Sequence, residues 1–476
     1  MSRHIAEPVL HLDRSRPVPL NAQLTEALRR AMAGGDLRPG ERLPSSRALA
    51  AQLGVSRTVV TEAYQQLYAE GWLEGRHGSG TFVAREEASA LPAPAAAARP
   101  VTPLAGPVPA GRPRMSRTEA RRRGLIDLRP GAPWVHDLDR AAWRRAWRQA
   151  ADLPPDDDPD PRGLPRLREL LAEHLRRARG VRVGPENVLV TRGTGNGLDL
   201  VAAALLGRGT LAGVEEPGYG KARTILGARG AEIVPCPVDG DGIVVDALPG
   251  GLSVLYTTPA HQYPLGGRLP VPRRERLLAW ARAAGTVVVE DDYDAEFRYD
   301  VAPLPALYGL DPGRVVLLGT LAKTLTPDLG IGWVVAEPDL VEHLAAVRHH
   351  LTDRTSGPVQ AATALLLERG DLDRHLRRMR LEYARRRRTV IEYLGPRLSG
   401  GTAGLHALVP LPAEAVAGVL SEAADQGVLL EDTARTSHGE PAVHGLILGY
   451  GSVSGAQLRR ALAVLSDVLA RQGVFG

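Results

Sequence analysis

The chain has 476 residues, a net charge of +5, a single cysteine and an apolar content of 44%. Its length predicts about three domains, and its apolar content is sufficient for packed cores. No apolar run approaches the roughly 20 residues that span a bilayer, and the first residues lack the apolar core of a signal peptide. We therefore expect a cytoplasmic protein without membrane contact. The single cysteine, Cys236, excludes an internal disulfide bond and a cysteine-based zinc site.

Positive charge is concentrated near the amino terminus. Residues 1–125 hold 18 basic and 11 acidic residues, whereas the remainder holds 41 basic and 43 acidic residues. A basic first part on a nearly neutral body favours a polyanion as the partner of that part. The later run of arginines at 385–388 is interpreted as the solvated face of a helix, with a contribution to DNA binding as the alternative.

The amino-terminal part shows a helix-turn-helix pattern followed by a wing. Apolar residues at helical spacing between Leu20 and Ala31 predict a first helix. The Pro44-Ser45-Ser46 segment and Ser56 cap two further helices, which the tight turn at Gly54 separates. The segment 71–83 is expected to form two short strands around a glycine-rich wing.

This segment resembles the GntR-type winged helix-turn-helix over about residues 18–84. Its motifs are Leu43-Pro44-Ser45-Ser46-Arg47, Leu53-Gly54-Val55-Ser56-Arg57-Thr58-Val59 and His77-Gly78-Ser79-Gly80-Thr81. The resemblance implies that double-stranded DNA is contacted by Arg47, Ser56, Arg57 and Thr58, and that His77 and Gly78 enter the minor groove. Short polar side chains and an arginine at the start of a helix fit base edges in the major groove. From the residues alone, a helical protein-interaction module is the alternative.

Residues 86–124 differ in composition, because Ala, Pro and Arg dominate and apolar periodicity is nearly absent. Dense proline makes such a chain an extended spacer. We therefore predict a DNA-binding domain over residues 1–85 and an interdomain linker over residues 86–124.

Beyond the linker, apolar strands alternate with helices, a pattern that is typical of a buried parallel sheet. Three strands are followed by polar groups at their carboxyl ends, where such a sheet has its site. The first precedes the glycine-rich turn 191–197, whose free N–H groups could bind an anion. The second precedes the acidic cluster 290–294, and the third precedes Lys323.

Lys323 is one of only two lysines in the chain, the other being Lys221, among 59 basic residues. A lysine amine, unlike a guanidinium, can lose its proton when desolvated and form a Schiff base with a carbonyl. A phosphate cradle, a carboxylate for a pyridinium nitrogen and a Schiff-base lysine are the three things that pyridoxal phosphate needs from a protein. Their order along one sheet predicts a site for this cofactor.

Together with the first domain, this arrangement resembles the MocR subfamily of GntR regulators, in which a winged helix-turn-helix precedes a fold-type I aminotransferase-like domain. The likeness covers nearly the whole chain. It is carried by Pro217-Gly218-Tyr219, Thr258-Pro259-Ala260-His261-Gln262-Tyr263-Pro264-Leu265-Gly266, Asp291-Asp292-Tyr293-Asp294 and the segment at Lys323. It implies a multidomain protein with an α/β large domain over residues 125–352 and a smaller carboxyl-terminal subdomain over residues 353–476.

The resemblance also implies roles for individual residues. Lys323 would form the Schiff base, Asp291 would hold the pyridine nitrogen, and Tyr293 would bond the ring hydroxyl. The remaining cofactor contacts that it implies are Tyr219 stacked on the ring, His261 or Gln262 near it, and Gly193, Thr194 and Gly195 around the phosphate. Arg435 and Lys221 are candidates for binding the carboxylate of an amino ligand. No metal site is expected.

Two positions depart from the family pattern. Relatives commonly have a serine before the lysine and an arginine seven residues after it, where this chain has Ala322 and Gly330. A hydrogen bond to a charged group contributes about 1.5–3 kcal/mol, so loss of the arginine predicts roughly tenfold to hundredfold weaker cofactor binding. Lys221 or Arg223 could substitute.

We therefore expect a homodimeric transcriptional regulator that senses pyridoxal phosphate, or its adduct with an amino acid or amine, and that is not an enzyme. Control of vitamin B6 or of amino acid and amine metabolism is the family precedent. An aminotransferase with a fused DNA-binding head is one alternative. A regulator whose cofactor site has degenerated is the other.

Overall fold

The structure is a computed structural model that describes residues 10–76, 80–84, 115–294, 296–299, 305–401 and 403–473. The chain divides into two compact units, Met1–Leu104 and Ala105–Gly476. The boundary between them lies within the segment that the sequence predicts as a linker. Among the helices of the described ranges, none has the length and apolar character that a membrane crossing requires.

The first unit contains the predicted helix-turn-helix and a two-stranded antiparallel hairpin. Its elements are α1 (Leu20–Ala33), α2 (Ser46–Leu53), α3 (Arg57–Ala69), β1 (Leu73–Arg76) and β2 (Gly80–Val83). Ser45 and Ser56 accept hydrogen bonds from the backbone N–H groups of Ala48 and Val59, which caps α2 and α3 as predicted. Gly54 ends α2 with a φ of 63°, a conformation that glycine adopts without strain. The core of the unit includes Leu24, Leu28, Leu49, Val60 and Leu67.

The second unit is an α/β structure with a large and a small lobe. Its first elements are α4 (Arg117–Arg122), β3 (Ile126–Asp127), α5 (Arg140–Ala151), α6 (Pro165–Arg179), β4 (Val188–Thr191), α7 (Thr194–Leu205), β5 (Leu211–Glu216), α8 (Gly220–Ala228), β6 (Glu232–Asp239), β7 (Gly242–Ile243), β8 (Leu252–Thr257), α9 (Val271–Ala284) and β9 (Val287–Asp291). They are followed by α10 (Leu307–Leu310), β10 (Val315–Thr320), β11 (Gly332–Val335), α11 (Pro338–His350), α12 (Gly357–Glu368), α13 (Asp371–Leu394), β12 (His406–Pro410), α14 (Ala413–Asp425), β13 (Val428–Leu429), β14 (Glu431–Asp432), β15 (Gly445–Gly449) and α15 (Gly455–Arg471).

The large lobe is built on one sheet, whose eight described strands have the order β4-β11-β10-β9-β8-β5-β6-β7. Neighbouring strands are parallel except where β11 or β7 takes part. Apolar clusters on both faces of the sheet bury its central strands, which explains their nearly continuous apolar sequence. The carboxyl ends of β4, β5, β8, β9 and β10 therefore meet at one edge, where the sequence places the candidate site.

The small lobe begins later in the chain than the predicted boundary at residue 353. Helix α12 and the first half of α13 pack into the large lobe, where Leu367 and Tyr383 belong to the core. Val390 and Leu394, at the end of α13, belong to the core of the small lobe. That lobe consists of the antiparallel sheet β12-β15-β14 with α14 and α15. Helix α13 thus runs from one core into the other, and the boundary falls inside it.

The start of the second unit also differs from the prediction. Helix α4 lies within residues 86–124, yet it is packed, since Ala120 is fully buried and the Arg117 guanidinium donates to the carbonyls of Arg129 and Pro130 at 2.6 and 2.8 Å. Strand β3, predicted as part of the large domain, pairs in parallel with β13 in the small lobe. Composition does not reveal the pairing of β3, because its partner strand lies about three hundred residues further along the chain.

Candidate functional site

The four described residues of the predicted DNA-binding set are all exposed on α2 and at the start of α3. They are Arg47, Ser56, Arg57 and Thr58. Nε of Arg57 donates to Oγ of Ser46 at 3.3 Å, which links the first turns of the two helices. The buried hydroxyl of Tyr64 donates to the carbonyl of Pro44 at 2.9 Å and fixes the start of α2 against α3. The other two predicted contacts, His77 and Gly78, lie outside the described residues.

Lys323 follows β10 at the edge of the large sheet and is partly buried. Its Nζ donates to the carbonyl of Gly131 at 2.5 Å. Burial lowers the pKa of Lys323, the carboxylates of Asp294 and Asp291 act in the opposite direction, and Lys221 adds to the lowering. A lysine in these surroundings is easier to deprotonate, which is the condition for reaction with a carbonyl.

Asp291 is the last residue of β9 and is 4% exposed. The hydroxyl of Tyr256 donates to its Oδ2 at 2.7 Å. Its Oδ1 is buried and has no hydrogen-bond partner among the described residues. Burial raises the pKa of Asp291 to about 7. One oxygen of this carboxyl group can therefore accept a hydrogen bond from a bound N–H group.

The acidic cluster is divided between the two faces of β9. Side chains alternate along a strand, so Glu290 and Asp292 point away from Asp291. The guanidinium of Arg179 donates to both oxygens of Asp292, at 2.6 and 3.1 Å, in a buried pair. Asp291 therefore faces the lysine site, whereas Asp292 belongs to a buried ion pair on the other side.

Tyr293, His261 and Asp294 form a connected group beside Lys323. Nδ1 of His261 lies 3.0 Å from Oδ2 of Asp294, and the Tyr293 hydroxyl donates to the carbonyl of His261 at 2.9 Å. The ring of His406, from β12 in the small lobe, lies 4.5 Å from that of His261. Sequence reasoning missed His406, because a single histidine on an apolar strand carries no signal of its own.

Of the two adjacent candidates His261 and Gln262, only the first joins this group. Gln262 is fully buried, and its amide donates to the carbonyls of Pro217 and Tyr263 at 2.9 and 2.7 Å and accepts from the N–H of Leu265 at 3.0 Å. Its hydrogen bonds thus hold the loop that follows β8.

Tyr219 lies at the N-cap of α8 and forms part of an aromatic wall. Its ring is stacked against that of Tyr256 at 6.5 Å and meets that of Tyr263 edge-on at 6.3 Å. Burial raises the pKa of Tyr219 to about 12, so its hydroxyl stays protonated at neutral pH. Since Tyr256 also bonds Asp291, the wall adjoins the open carboxylate oxygen.

The glycine-rich turn begins α7 as predicted. Gly193 has a φ of 104° and is the N-cap residue, and no side chain caps the N–H groups of the first turn. Thr194 and Gly195 are the first two residues of the helix. An uncapped helix start carries partial positive charge and can bind an anion.

The two departures from the family pattern lie on the segment between β10 and β11. The N–H of Ala322 donates to Oγ1 of Thr320 at 3.1 Å, and its methyl group stands in place of a hydroxyl. Gly330 has a φ of 56°, and the space around its Cβ position is open among the described residues. The chain thus lacks the hydroxyl and the guanidinium that the resemblance implies as phosphate contacts.

Lys221 and Arg435 lie on two segments that pack against each other. The turn 434–436 packs on the first turn of α8, because the carbonyl of Thr436 accepts from the N–H of Gly218 at 2.8 Å and from Arg223 at 2.9 Å. Lys221 and Arg435 are both exposed. Arg223 is engaged in holding this turn, so Lys221 is the one of the two predicted substitute cations that is not used there.

Comparison with known proteins finds relatives for both the winged helix-turn-helix and the α/β unit. Residues 20–83 match the gntR family of bacterial regulatory proteins, and residues 141–439 match aminotransferase classes I and II. An archaeal alanine:glyoxylate aminotransferase resembles the chain with a TM-score of 0.69 at 25% identity, over 74% of this chain and 93% of that one.

Two curated relatives match over nearly the full length. The chain is 38% identical over 471 residues to the HTH-type pyridoxine biosynthesis transcriptional regulator PdxR of Corynebacterium glutamicum, covering 98% of this chain and 99% of that protein. It is 36% identical over 470 residues to the probable rhizopine catabolism regulatory protein MocR of Rhizobium meliloti, covering 95% and 94%. The chain therefore belongs to the MocR-type regulators of the GntR family, in which a winged helix-turn-helix is joined to an aminotransferase-like unit.

Proposed function

We propose that this protein is a DNA-binding transcriptional regulator whose second unit binds pyridoxal phosphate on Lys323 and conveys its presence to the DNA-binding unit. One observation carries the proposal. In a chain that also has an exposed helix start for reading DNA, a desolvated lysine lies at the same sheet edge as Asp291, a buried carboxyl group with one oxygen that no described residue bonds. Glu290, Glu296 and Asp353 also have one buried oxygen without a hydrogen-bond partner among the described residues, so the position beside Lys323 is what distinguishes Asp291.

The residues present fit the ring of the cofactor. Asp291 would accept a hydrogen bond from the ring nitrogen, Tyr293 would donate one to the ring hydroxyl, and Tyr219 would cover one face. Pyridoxal phosphate, when bound, supplies an aldehyde that captures amines and a ring that withdraws electrons. The amine of Lys323 would hold the aldehyde, and an amino acid or amine could then displace it.

The site offers fewer side-chain contacts to the phosphate group of the cofactor than to its ring. The uncapped N–H groups at Thr194 and Gly195 would bind the phosphate, but Ala322 and Gly330 provide no side-chain contact. Weaker anchorage suits a sensor, because the occupancy of a site follows changes in ligand concentration only when that concentration is comparable with the dissociation constant. We infer that the cofactor exchanges, rather than remaining as a permanent prosthetic group.

Efficient transamination is not part of this proposal. Turnover requires a substrate that is oriented as well as bound. Both candidates for a carboxylate contact, Lys221 and Arg435, are exposed side chains. The amino ligand is therefore proposed as an effector, and the relatives named for pyridoxine biosynthesis and rhizopine catabolism make vitamin B6 or amine metabolism the proposed target.

We further infer a homodimer that binds paired half-sites on a double-stranded operator. Winged-helix regulators usually read two half-sites, and two-fold operators match two-fold proteins. Effector binding would act by its different affinity for two arrangements of the dimer.

The two lysines of the chain provide a matched pair of variants. Lys323→Arg and Lys221→Arg each remove one amine and keep one positive charge. Titration with pyridoxal phosphate, borohydride reduction and peptide mapping should give a visible absorbance band and a labelled peptide in the wild type and in Lys221→Arg, but not in Lys323→Arg. A band that persists in Lys323→Arg, or its absence from the wild type at saturating cofactor, would refute the site.

The regulatory half of the proposal has its own test. Footprinting of the operator by the full chain, with and without pyridoxal phosphate, should show a change in the protected bases. Protection that is identical in both conditions would mean that this cofactor is not the effector.

A further inference from the structure

A buried histidine and carboxylate stand behind Tyr293. Nδ1 of His261 lies 3.0 and 3.2 Å from the two oxygens of Asp294, and the side chains are 3% and 2% exposed. An ionised carboxylate can only accept hydrogen bonds, so the proton of this bond belongs to Nδ1. The contact therefore fixes the tautomer of the ring when His261 is neutral.

The same Nδ1–H group also reaches Tyr293. The phenol oxygen lies 3.1 Å from Nδ1 of His261 and donates its proton to the carbonyl of that residue at 2.9 Å. The oxygen is thus fixed at two points, while the hydroxyl proton can rotate toward another acceptor. Hydrogen bonds in a chain polarise one another, so the negative charge of Asp294 orients the His261 N–H that supports the phenol oxygen.

The small lobe closes over this pair at Gly404. A Cβ at Gly404 would overlap the His261 ring and would stand 2.6 Å from Oδ2 of Asp294. The residue has a φ of 73°, and its carbonyl accepts the hydroxyl of Tyr299 at 2.9 Å and that of Tyr450. Only glycine fits this position, and its main chain covers the histidine and the carboxylate.

A metal site is the other arrangement that these residues suggest. His261, Asp294 and His406 each offer one ligand-type atom, and these atoms lie within 4.8 Å of one another. However, Nδ1 of His261 is already bonded to Asp294, and Nε2 of His406 lies 3.2 Å from the carbonyl of Pro264. The observed distances are those of a hydrogen-bonded group.

We infer that Asp294 and His261 are positioning residues that hold the Tyr293 hydroxyl at the lysine site, and that Gly404 of the small lobe keeps them in place. The ligand atom they serve is an anionic oxygen on an aromatic ring, such as the ring oxygen of a pyridoxal compound. In naming that ligand the inference rests on the proposed function. The hydrogen-bonded arrangement itself does not depend on it.

The charged groups around this arrangement come from several elements. Asp291 at the end of β9 and Glu215 on β5 act on Tyr293, and Arg387 on α13 acts on His406. Lys221 on α8 and Arg117 on α4 lower the pKa of Lys323. Burial is the largest influence on the pKa of Lys323, and it lowers that pKa. Among the charged groups that raise the pKa of Lys323, the Asp294 carboxylate has the largest effect. Removing the charge of Asp294 should therefore weaken the binding of a proton at the lysine nitrogen.

Asp294→Asn is the test, because it keeps the size of the side chain and removes the charge. Glu296→Gln is the matched control, since Glu296 is a buried carboxyl group two residues away that faces His174 at 4.0 Å. In cofactor-free protein with ¹⁵N-labelled histidine, Asp294→Asn should shift the neutral His261 ring from its Nδ1–H toward its Nε2–H form, and Glu296→Gln should not. His261→Gln identifies the signal.

The loaded protein gives a second readout. The midpoint pH of the visible absorbance of the lysine-bound cofactor should fall by about 1, a tenfold loss of proton affinity, in Asp294→Asn. Gly404→Ala should disturb the same signals without any change of charge. An unchanged tautomer in Asp294→Asn, or an absorbance midpoint that moves no more than in Glu296→Gln, would overturn the inference. If the wild type forms no band, the proposed cofactor fails, and the nuclear magnetic resonance comparison alone decides whether the positioning pair exists.

Discussion

Arg47 and Arg57, on the predicted DNA-reading face, are exposed, whereas Asp291, Asp294 and His261 at the lysine site are 4%, 2% and 3% exposed. Charges in water interact weakly and tolerate change, and charges in a protein interior interact strongly with whatever surrounds them. Substitutions on the first face should therefore alter binding and leave folding intact. In the second unit, the effect of a substitution on the free energy of unfolding should depend on whether the buried group has a hydrogen-bond or ion-pair partner.

Asp292→Asn should give the largest effect on folding. It would leave Arg179 buried without the carboxylate that bonds it at 2.6 and 3.1 Å, which costs about 3–5 kcal/mol. Denaturant titration of the second unit measures the change in the free energy of unfolding. Asp291→Asn, on the preceding residue, serves as the control, because one of its oxygens has no partner in the part of the chain that the structure describes. Equal losses in the two variants would break the distinction between partnered and open carboxyl groups.

The stability of the second unit should also depend on pH through Asp291. Its pKa is raised to about 7, so between pH 4 and pH 7 the folded protein holds a proton that the unfolded chain releases. The contribution of Asp291 to the free energy of unfolding is fully present below about pH 4. It is lost as the pH rises toward 7, by at most about 1.4 kcal/mol per pH unit. Thermal unfolding of cofactor-free protein from pH 5 to pH 8 should show the wild type losing stability relative to Asp291→Asn. Parallel profiles would contradict the raised pKa.

On the exposed face, Arg57→Ala should weaken operator binding by about 1–3 kcal/mol, the value of a lost base contact. The midpoint of unfolding should hardly change, because the side chain is exposed and makes one long hydrogen bond, to Ser46. Arg30→Ala is the charge-matched control, since Arg30 lies on α1 with its side chain 73% exposed. If both variants weaken binding equally in a fluorescence titration, then Arg57 contributes only its charge.

The smallest effect concerns the phosphate end of the lysine site. Gly330→Arg should tighten the binding of pyridoxal phosphate by up to about tenfold, because a charge-assisted hydrogen bond outweighs the strain of a left-handed residue. Gly330→Ala carries the same strain without the cation and is the control. Absorbance titration compares the two. Binding by the arginine variant that is no tighter than by the alanine variant would show that a guanidinium at this position does not reach the phosphate.

Local signals predicted the elements that depend on neighbouring residues. Ser45 and Ser56 cap their helices as expected, and Lys323 and Asp291 follow strands of one sheet. These features depend on short stretches of sequence. The order of the strands then places Lys323 and Asp291 at one edge of the large sheet.

Features that depend on distant partners escaped prediction. The arginine run at 385–388 was expected to be solvated, but Arg386 is buried, with its guanidinium 4.6 Å from the centre of the Trp134 ring and donating to the carbonyl of Gly451 at 2.8 Å. Half of the run therefore packs inside, because cations can be buried where carbonyls and aromatic faces receive them. His406 and Gly404 likewise gain their importance only from the closure of one lobe on the other.

The pairing of β3 with β13 has a consequence for synthesis of the chain. Ile126 leaves the ribosome early, but its partner Val428 follows roughly three hundred residues later, so the small lobe cannot complete its core until nearly the whole chain has been made. The winged helix, whose core is formed by residues of its own segment, can fold long before that. A nascent chain would therefore carry a folded winged helix ahead of an unfinished aminotransferase-like unit.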